Sequence, residues 1–465
     1  MRQPLGEDHE EIYPRIAMGD RAPGGDYSMS RWAEDWRRMA DPEKREDVFD
    51  RLKFLPLDDG GRIYLTLSGE ARARVNYTQN PGVQDGPHQR QDILRLFAGA
   101  DLHVGRNLRF YGEVARGDLG GLRLGSPRAT LRNRAVLQQA FVEVGAGADT
   151  TELGLRLGRQ EFEDGPNLLI ASRDNNTIRF TLDGVRAWAR TPHVRATLFD
   201  LRYVALGQGG FGDDPTDRGT RFSGVSAGVV VPEDWFGGSK LYVDPFVWRV
   251  REDERDWSGF AAQETRFYTG ARVWGDVGRL TLDWTVNRQT GRHGDRAIRG
   301  WQTLFEQALA LRSGESAPEV GFHFDYGSGG GGVSPGETLR GTSTPFGNNI
   351  YFSYGLFLTP SNLVAFGPMV RLRPASGVTL MLEHQWAWRP DERDSVYRAN
   401  TTHYVGTAEV DGRRIATLPR GQLEWRITPR LSFLGRLEYL RAQTVLRRAG
   451  YTNSAFAAGW ISFRF

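Results

Sequence analysis

The sequence contains no cysteine and almost no lysine. Among its 465 residues the lysines are Lys44, Lys53 and Lys240, so 57 of the 60 basic residues are arginines. The absence of cysteine excludes disulfides and thiol catalysis, and it fits an oxidising compartment such as the bacterial periplasm. A GC-rich genome explains part of the arginine preference. The positions of the arginines are therefore more informative than their number.

Long apolar runs are also missing. A membrane-spanning helix needs about 18 apolar residues in succession, whereas the uncharged stretch Gly355–Val370 contains Pro360 and Pro368. The hydrophobic fraction is 39% and the mean hydropathy is −0.49. These values exclude a helical membrane protein. They suit either a membrane barrel, which shows apolar side chains on one face of each strand, or a large soluble β protein.

The amino terminus has no apolar leader. Met1–Glu7 runs into a polar, acidic stretch, which does not resemble a secretory signal. A protein of the outer membrane needs such a signal. We therefore expect that the sequence is the mature form with a start methionine, or that the true gene start lies upstream.

Alternation with a period of two runs from Arg62 to Tyr77. One face carries Ile63, Leu65, Leu67, Gly69, Ala71, Ala73, Val75 and Tyr77, and the other carries mostly charged or polar residues, interrupted by Tyr64. Strands of soluble sandwiches usually have five or six residues, whereas a tilted membrane-spanning strand needs about 9–11. The length of this run favours a strand with one face in lipid and the other in a wet lumen.

The same alternation recurs along the chain. It is found at 92–104, 107–116, 134–145, 152–158, 184–190, 193–205, 219–231, 239–250, 263–275, 278–290, 319–326, 364–373, 377–389, 421–428 and 430–440, and the chain ends on the alternating segment Trp460–Phe465. We predict an all-β fold, a transmembrane antiparallel β-barrel of about 16–18 strands, an even number being expected for a single-chain bacterial barrel. A short helical or irregular segment precedes it.

The chain divides into two unequal parts. Residues 1–60 are charged and contain short helix and turn patterns, and we expect them in the periplasm or at the barrel mouth; residues 61–465 form the barrel. Longer connections are predicted near 79–90, 117–133, 161–176, 207–219, 290–298, 327–350 and 390–418. The glycine run 327–332 makes one of them a flexible loop, either solvated at the surface or folded inward as a constriction.

Arginines recur on the polar faces of the predicted strands, which line the lumen. Period-two counting along the strands gives these candidates for pore-lining or substrate-binding residues: Arg72, Arg74, Arg95, Arg109, Arg156, Arg186, Arg190, Arg272, Arg426 and Arg436. Guanidinium groups in a confined space attract anions and match carboxylates bidentately. Acidic residues share these faces, so each arginine either contacts substrate or braces the wall in an ion pair.

Three motif matches point to enzymes, and each fails on context. Residues 224–228 fit a nucleophile elbow but lead into Val229–Pro232 instead of a helix. Residues 207–212 fit a dinucleotide fingerprint but precede Asp213-Asp214-Pro215, which starts no helix. The eight histidines show no metal-ligand spacing. We therefore predict that the protein is not an enzyme and uses no metal or cofactor.

Several segments resemble the alginate export family of outer-membrane barrels. The resemblance rests on Arg31–Trp36 with Leu52–Leu57, on Leu155–Phe162 followed by Arg179-Phe180 and Asp183–Arg186, and on Thr344–Phe346 with Asn362–Pro374. It implies an 18-stranded barrel with an electropositive lumen that passes a polyuronate outward by diffusion. It also implies that Arg159 is a pore arginine flanked by Asp183 and Arg186.

Arg159 poses a conflict between the resemblance and the alternation. Strict period-two counting places it on the same side as Leu153, Leu155 and Leu157, which face lipid. A bulge at Gly158, or a strand that has already left the membrane, would resolve the conflict.

The leading hypothesis is an outer-membrane channel for an anionic polysaccharide, an alginate-like polyuronate. The alternatives are a general or solute-specific porin for small anions and, in a different class, a barrel adhesin or enzyme. Expected partners are the lipid bilayer and lipopolysaccharide, the anionic polysaccharide or small anions, the barrel assembly machinery through Phe465, and a periplasmic export partner that the sequence does not name. No nucleic acid is expected.

Overall fold

A computed structural model describes residues 13–14, 27–148, 150–166, 168–314 and 316–465. Eighteen long strands of this part of the chain form one antiparallel sheet. They are β1 Ile63–Gln79, β2 Gln89–Val104, β3 Leu108–Leu122, β4 Asn133–Ala148, β5 Thr151–Gln160, β6 Leu182–Arg190, β7 Val194–Val204, β8 Thr216–Val230, β9 Lys240–Trp257, β10 Phe260–Val277, β11 Leu280–His293, β12 Arg296–Ala310, β13 Glu319–Gly327, β14 Leu363–Ala375, β15 Val378–Trp388, β16 Arg414–Arg426, β17 Leu431–Ala442 and β18 Ser454–Arg464.

The sheet closes on itself. Each strand pairs with its neighbours in the chain, and β1 pairs with both β2 and β18, with Ala71 opposite Leu96 on one side and opposite Phe463 on the other. Closure leaves none of these eighteen strands with a free edge, which a sheet in lipid requires because unpaired backbone groups find no water there. The predicted fold class and the strand number that the resemblance implies are confirmed.

The prediction missed one strand. Residues 290–298 are not a long connection, because β11 and β12 are joined by a turn at residues 294–295. Strand β12 lacked a clear sequence signal since both of its faces mix polar and apolar side chains: Arg299, Trp301 and Gln307 point one way, and Ile298, Gln302 and Glu306 point the other. Backbone pairing with β11 on one side and β13 on the other holds β12 in the sheet, although its own sequence does not alternate clearly.

The connections distinguish the two ends of the barrel. The carboxy terminus, the start of β1 and the shorter connections such as 105–107 and 376–377 lie at one end, and the long connections 161–181, 328–362 and 389–413 lie at the other. In bacterial outer-membrane barrels the short turns face the periplasm and the long loops face outward. We name the two ends accordingly.

Side chains alternate between the lipid-facing outside and the lumen as predicted. On β1, Val75 and Tyr77 are exposed on the outside, with 45% and 42% of their surface accessible, whereas Glu70 and Arg72 point inward and are buried. The burial of the inward side chains needs material inside the barrel. Two sources supply it, an amino-terminal segment and two inward loops.

Residues 27–57, the amino-terminal segment, lie inside the periplasmic mouth. They form four short 3₁₀ turns, and Leu55–Pro56 pairs with the beginning of β1. The ring of Trp32 packs against Phe141 of β4, and Phe54 stacks on Tyr64 of β1. No helix of the described residues is long and apolar enough to cross a membrane.

Two long extracellular connections fold into the lumen, namely the first inward loop (161–181) and the second inward loop (328–362). They pair with each other where Ala171 N donates to Phe346 O and Phe346 N donates to Leu169 O, at 3.1 and 3.0 Å. Phe180 packs against Phe346 with ring centroids 4.5 Å apart. The contact makes one packed body of the two loops.

The second inward loop crosses the lumen. Phe346 packs against Phe222 of β8, and Ser353 Oγ donates to Glu438 Oε1 of β17 at 2.6 Å. Eight strands lie between β8 and β17 in either direction, so the two contacts lie on opposite sides of an 18-stranded wall. The glycine run of this loop is buried, not solvated, because its glycines abut other groups: a Cβ at Gly329 would lie 2.1 Å from Asn362 Oδ1.

Candidate functional site

A large cavity lies at the periplasmic end of the lumen, below the inward loops. Its volume is about 1580 Å³, larger than the roughly 300–1,000 Å³ of ordinary small-molecule pockets. The turns at 374–378 and 427–430 border it on the wall side, Tyr27 and Met29 of the amino-terminal segment on another, and Asp174 of the first inward loop above. The cavity is therefore built from four separate parts of the chain.

Arginines outnumber acidic residues in the lining. The arginines are Arg72, Arg173, Arg312, Arg373, Arg426, Arg430, Arg436 and Arg464, and the acids are Glu163, Asp174 and Glu424. In a confined space with walls of low dielectric constant, such an excess produces a positive potential that concentrates anions.

Asp174 anchors the first inward loop to the wall. Its carboxylate accepts hydrogen bonds from Arg72 Nη2 at 2.9 Å, from Arg95 Nη2 at 2.8 Å and from Arg179 Nε at 2.8 Å. Burial alone would raise the pKa of this carboxyl, but the guanidinium groups of Arg72, Arg95 and Arg179 hold the pKa well below its usual range. Asp174 is a carboxylate that the arginines already bind.

Asn175 extends the same anchor toward the cavity. Its backbone oxygen accepts from Arg74 Nη1 at 2.7 Å, and its side-chain oxygen accepts from Arg74 Nη1 and Arg436 Nη1, both at 3.1 Å. The guanidinium groups of Arg74 and Arg436 lie over the ring of Trp460, at 4.6 and 5.1 Å from its centroid. Trp460 thus positions both arginines by cation–π contact.

Glu70 is the acidic centre of the arginine cluster. Its carboxylate accepts from Arg95 Nε at 2.9 Å, from Arg464 Nε at 3.0 Å and from Arg31 Nη1 at 3.2 Å, and it lies 3.3 Å from Arg72 Nε. The amino-terminal segment supplies Arg31. Because several cations share one carboxylate, the cluster keeps a net positive charge.

Five of the predicted lumen arginines point inward but are covered. Arg95 lies under the first inward loop. Arg109 pairs with Asp101 at 2.7 Å, and Arg156 pairs with Glu143 at 2.9 Å, both beneath Trp32. The other covered arginines are Arg186, which lies over the rings of Phe162 and Trp188, and Arg190, which pairs with Glu152.

The remaining lumen candidates lie around the cavity or elsewhere on the wall. Arg72, Arg74 and Arg436 lie at the anchor of the first inward loop, and Arg426 faces the cavity at the end of β16. Arg272 lies away from this group and pairs with Asp283 on β11 at 2.7 Å. The structure thus brings Arg72, Arg74, Arg95 and Arg436 together around one loop tip.

Arg159 and Asp183 are not pore residues, contrary to the expectation from the resemblance. They are cross-strand partners on the outer face near the extracellular end, where Arg159 Nε donates to Asp183 Oδ1 at 2.9 Å. The register through Gly158 is continuous on both sides, so no bulge redirects Arg159. Period-two counting gave its correct side, and Arg186, three residues beyond Asp183, points into the lumen.

Sequence reasoning missed the residues that organise the cavity. Asp174 and Asn175 lie in a connection without periodicity, and nothing in the local pattern shows that the connection folds inward. Trp460 lies on the lumen side of β18 and was not among the candidate residues. The sequence held a weak signal for Trp460, because period-two alternation places it on the same face of the strand as Ser462 and Arg464.

Comparisons with known proteins agree with this architecture. A family model described as alginate export matches residues 63–439. No curated protein matches the chain.

Three solved structures illustrate what this chain is similar to. The BenF-like porin from Pseudomonas fluorescens Pf-5 is 11% identical with a TM-score of 0.55, covering 86% of this chain and 98% of that chain. Pseudomonas aeruginosa OccK2 (OpdF), in complex with glucuronate, is 11% identical with a TM-score of 0.53 and the same coverage. Acinetobacter baumannii OccAB1 is 10% identical with a TM-score of 0.56, covering 90% and 99%. At these identities the similarity shows the fold alone.

Proposed function

Because the chain belongs to the alginate export family and is therefore a non-enzymatic channel of the bacterial outer membrane, we propose that it passes an anionic polysaccharide, an alginate-like polyuronate, by diffusion. The observation that carries the proposal is the arginine-lined periplasmic cavity with Asp174 bound at its upper edge. A polyuronate carries one carboxylate per sugar, the same group that Asp174 presents.

The chemistry of the anchor supports an acidic sugar as ligand. Arg72, Arg74 and Arg436 already bind a carboxylate and an amide oxygen at distances of 2.7–3.1 Å. A guanidinium fork suits carboxylates geometrically, and Trp460 adds an aromatic face beside the arginines. These side chains can therefore hold successive acidic groups of a polymer that reaches them from the periplasm.

We assign different roles to the lumen arginines. Arg72, Arg426 and Arg436 line the cavity, Arg74 lies beside them at the loop anchor, and these four are the proposed substrate contacts. Arg95, Arg109, Arg156, Arg186 and Arg190 are covered and brace the wall, the amino-terminal segment and the inward loop. Arg272, with its partner Asp283, belongs to the wall on another side.

Passage requires the inward loops to move. The second inward loop spans the lumen from β8 to β17, and the first is tied to β1, β2 and β17 by Asp174 and Asn175. An incoming carboxylate competes with Asp174 for the same guanidinium groups. Substrate binding and release of the loop tip are thus linked in the proposed mechanism.

A porin for small anions is the second candidate. It has support in OccK2, a protein of the same fold whose structure holds glucuronate, a single uronate unit. The same arginine cluster can bind one such unit as well as a segment of polymer. The two candidates differ in the ligand length that the cavity engages.

Single-channel recording in planar bilayers separates the candidates. Oligouronates of one to about ten units, added at the periplasmic side, should block the anion current with an affinity that rises with chain length if a polymer is the substrate. Neutral oligosaccharides of the same length are the control. Block that is equally strong for monomer and decamer would favour the small-anion porin, and no block by any uronate would overturn both.

The carboxy terminus is the proposed contact with the barrel assembly machinery. In the folded barrel Phe465 N donates to Gly69 O at 3.1 Å, Gly69 N donates to Phe465 O at 2.9 Å, and the Phe465 ring packs against Phe49. Because these contacts occupy Phe465 in the finished barrel, an assembly factor would bind it before closure. Deleting Phe465 should lower the amount of folded protein in the outer membrane.

A further inference from the structure

The outer face of the barrel carries a concentrated basic surface near its extracellular end. Within the six adjacent strands β7–β12, seven arginines, drawn from every strand but β10, point away from the lumen there, and we call them the outer arginine patch. They are Arg202, Arg221, Arg249, Arg251, Arg288, Arg292 and Arg299.

The sheet register brings these arginines together. Arg202 is directly opposite Arg221, and Arg221 is directly opposite Arg251. Thr265 then separates Arg251 from Arg292 in the same row. Like charges directly opposite each other on a sheet destabilise it, so this row has no explanation in the stability of the strands.

Acidic residues neutralise the patch only in part. Among the described residues of these strands, the outward acids near this end are Asp200, Asp217, Asp253 and Asp256, which leaves an excess of three positive charges. Asp200 pairs with Arg221 at 2.7 Å and Asp253 pairs with Arg251 at 3.3 Å, and both arginines remain about half exposed. Their guanidinium groups are therefore accessible to a ligand from outside.

The patch borders the apolar band. On the same strands Leu198, Val225 and Val247 follow toward the middle of the barrel and are exposed on the outside. Arg288 lies 5.8 Å from the ring centroid of the exposed Trp301, and tryptophan is enriched where a membrane meets water. These neighbours place the patch at the level of the lipid headgroups in the outer leaflet.

The opposite side of the barrel lacks such an excess. On β2 and β3 the outward charges near the extracellular end include the matched pairs Arg90–Asp92 at 2.9 Å and Arg116–Asp118 at 2.8 Å. These pairs have the same chemistry and similar exposure without surplus charge. They provide a matched control surface on this chain.

We propose that the outer arginine patch binds the phosphorylated sugar headgroup of lipopolysaccharide in the outer leaflet. The headgroup carries phosphates where the acyl chains begin, and the patch offers exposed guanidinium forks directly above exposed apolar side chains. Phosphate accepts bidentate hydrogen bonds from arginine, and the acyl chains pack on the apolar band. The site lies outside the channel and does not depend on the transported substrate.

The test compares three forms of the full-length protein purified in detergent. They are the wild type, the triple variant R221S/R249S/R251S and the control variant R90S/R116S. Purified lipopolysaccharide is titrated into each, and the dissociation constant is measured by native mass spectrometry; dephosphorylated lipopolysaccharide and inorganic phosphate are titrated in parallel. The gel mobility of unboiled samples reports that each barrel is folded.

We expect binding to the triple variant to be about 100-fold weaker at low salt, at roughly fivefold per arginine, and binding to the control to stay within about twofold of the wild type. Wild-type binding should also fall when the phosphates are removed. Equal affinity of the folded triple variant and the wild type overturns the proposal. Saturation by inorganic phosphate alone at equal affinity also overturns it, because the headgroup would then contribute nothing.

Discussion

Asp174 and Arg72 are 102 residues apart in sequence, yet the Asp174 carboxylate accepts a hydrogen bond from the Arg72 guanidinium at 2.9 Å. The contact joins the tip of the first inward loop to the inner wall of β1. It also places a carboxylate of the protein where we propose that a carboxylate of the substrate binds. Loop position and the proposed anion binding therefore involve the same arginines.

Replacing Asp174 with asparagine should release the loop tip while leaving the barrel folded. The change removes the charge from hydrogen bonds to three arginines, at a cost of about 1.5–3 kcal/mol in stability. Single-channel recordings should show a larger mean conductance and stronger anion selectivity, because the arginines lose their counter-charge.

Asp213→Asn is the matched control for this prediction. Asp213 is an aspartate of the extracellular connection 205–215, and its carboxylate accepts bonds from backbone amides such as Gly209 N instead of from arginines. Its removal should leave conductance and selectivity unchanged. If D174N also leaves both unchanged, the anchor does not control the channel.

The anchor should be insensitive to pH in the physiological range. The pKa of Asp174 in the folded protein is depressed, so its contribution to stability is present above the ordinary value of about 3.9 and is lost as the pH falls toward the lower folded value. Between about pH 5 and 8, the difference in unfolding temperature between the wild type and D174N should stay constant. Below about pH 4 it should shrink, and a difference that grows with acidity would contradict the prediction.

The double variant R74S/R436S should weaken block by oligouronates. Arg436 lines the cavity and Arg74 lies next to it over the Trp460 ring, so the loss of both lowers the positive potential and removes two donors. The difference from wild type should shrink at 1 M salt, where the Debye length is about 3 Å.

The variant R90S/R116S is again the control, because it also removes two arginines, but from the outer face of the barrel instead of from the lumen. If the folded R74S/R436S variant keeps the anion preference and the oligouronate block of the wild type, then these arginines only brace the wall. The transport proposal would in that case rest on family membership alone.

Lipid-facing and lumen-facing positions should respond differently to a new charge. Ala71 lies in the middle of β1 on the outer face, so Ala71→Arg should cost about 2–4 kcal/mol. Thr379 lines the cavity and is the cross-strand partner of Glu424, so Thr379→Arg should be nearly neutral. Unfolding in urea in the presence of lipid vesicles measures both changes. Equal costs would mean that Ala71 does not face lipid.

The strands and their faces were largely predictable from the sequence. In β1 and β5 a period-two pattern is enough, because one face meets lipid and the other does not. It placed Arg72 and Arg156 in the lumen, and it placed Arg159 outside against the expectation from the family resemblance. Strand β12 was not predicted because polar and apolar side chains occur on both of its faces.

What the sequence determined by itself is thus the barrel, its strand number and the side of the wall on which each arginine lies, since these follow from local alternation in a two-sided environment. What the tertiary structure decided is which lumen arginines line the large cavity. Arg109 and Arg72 have equivalent positions in the pattern, but Trp32 covers the first, while the second meets Asp174 and the cavity. That difference depends on where the amino-terminal segment and the inward loops pack, and such long-range contacts leave no periodic signal in the chain.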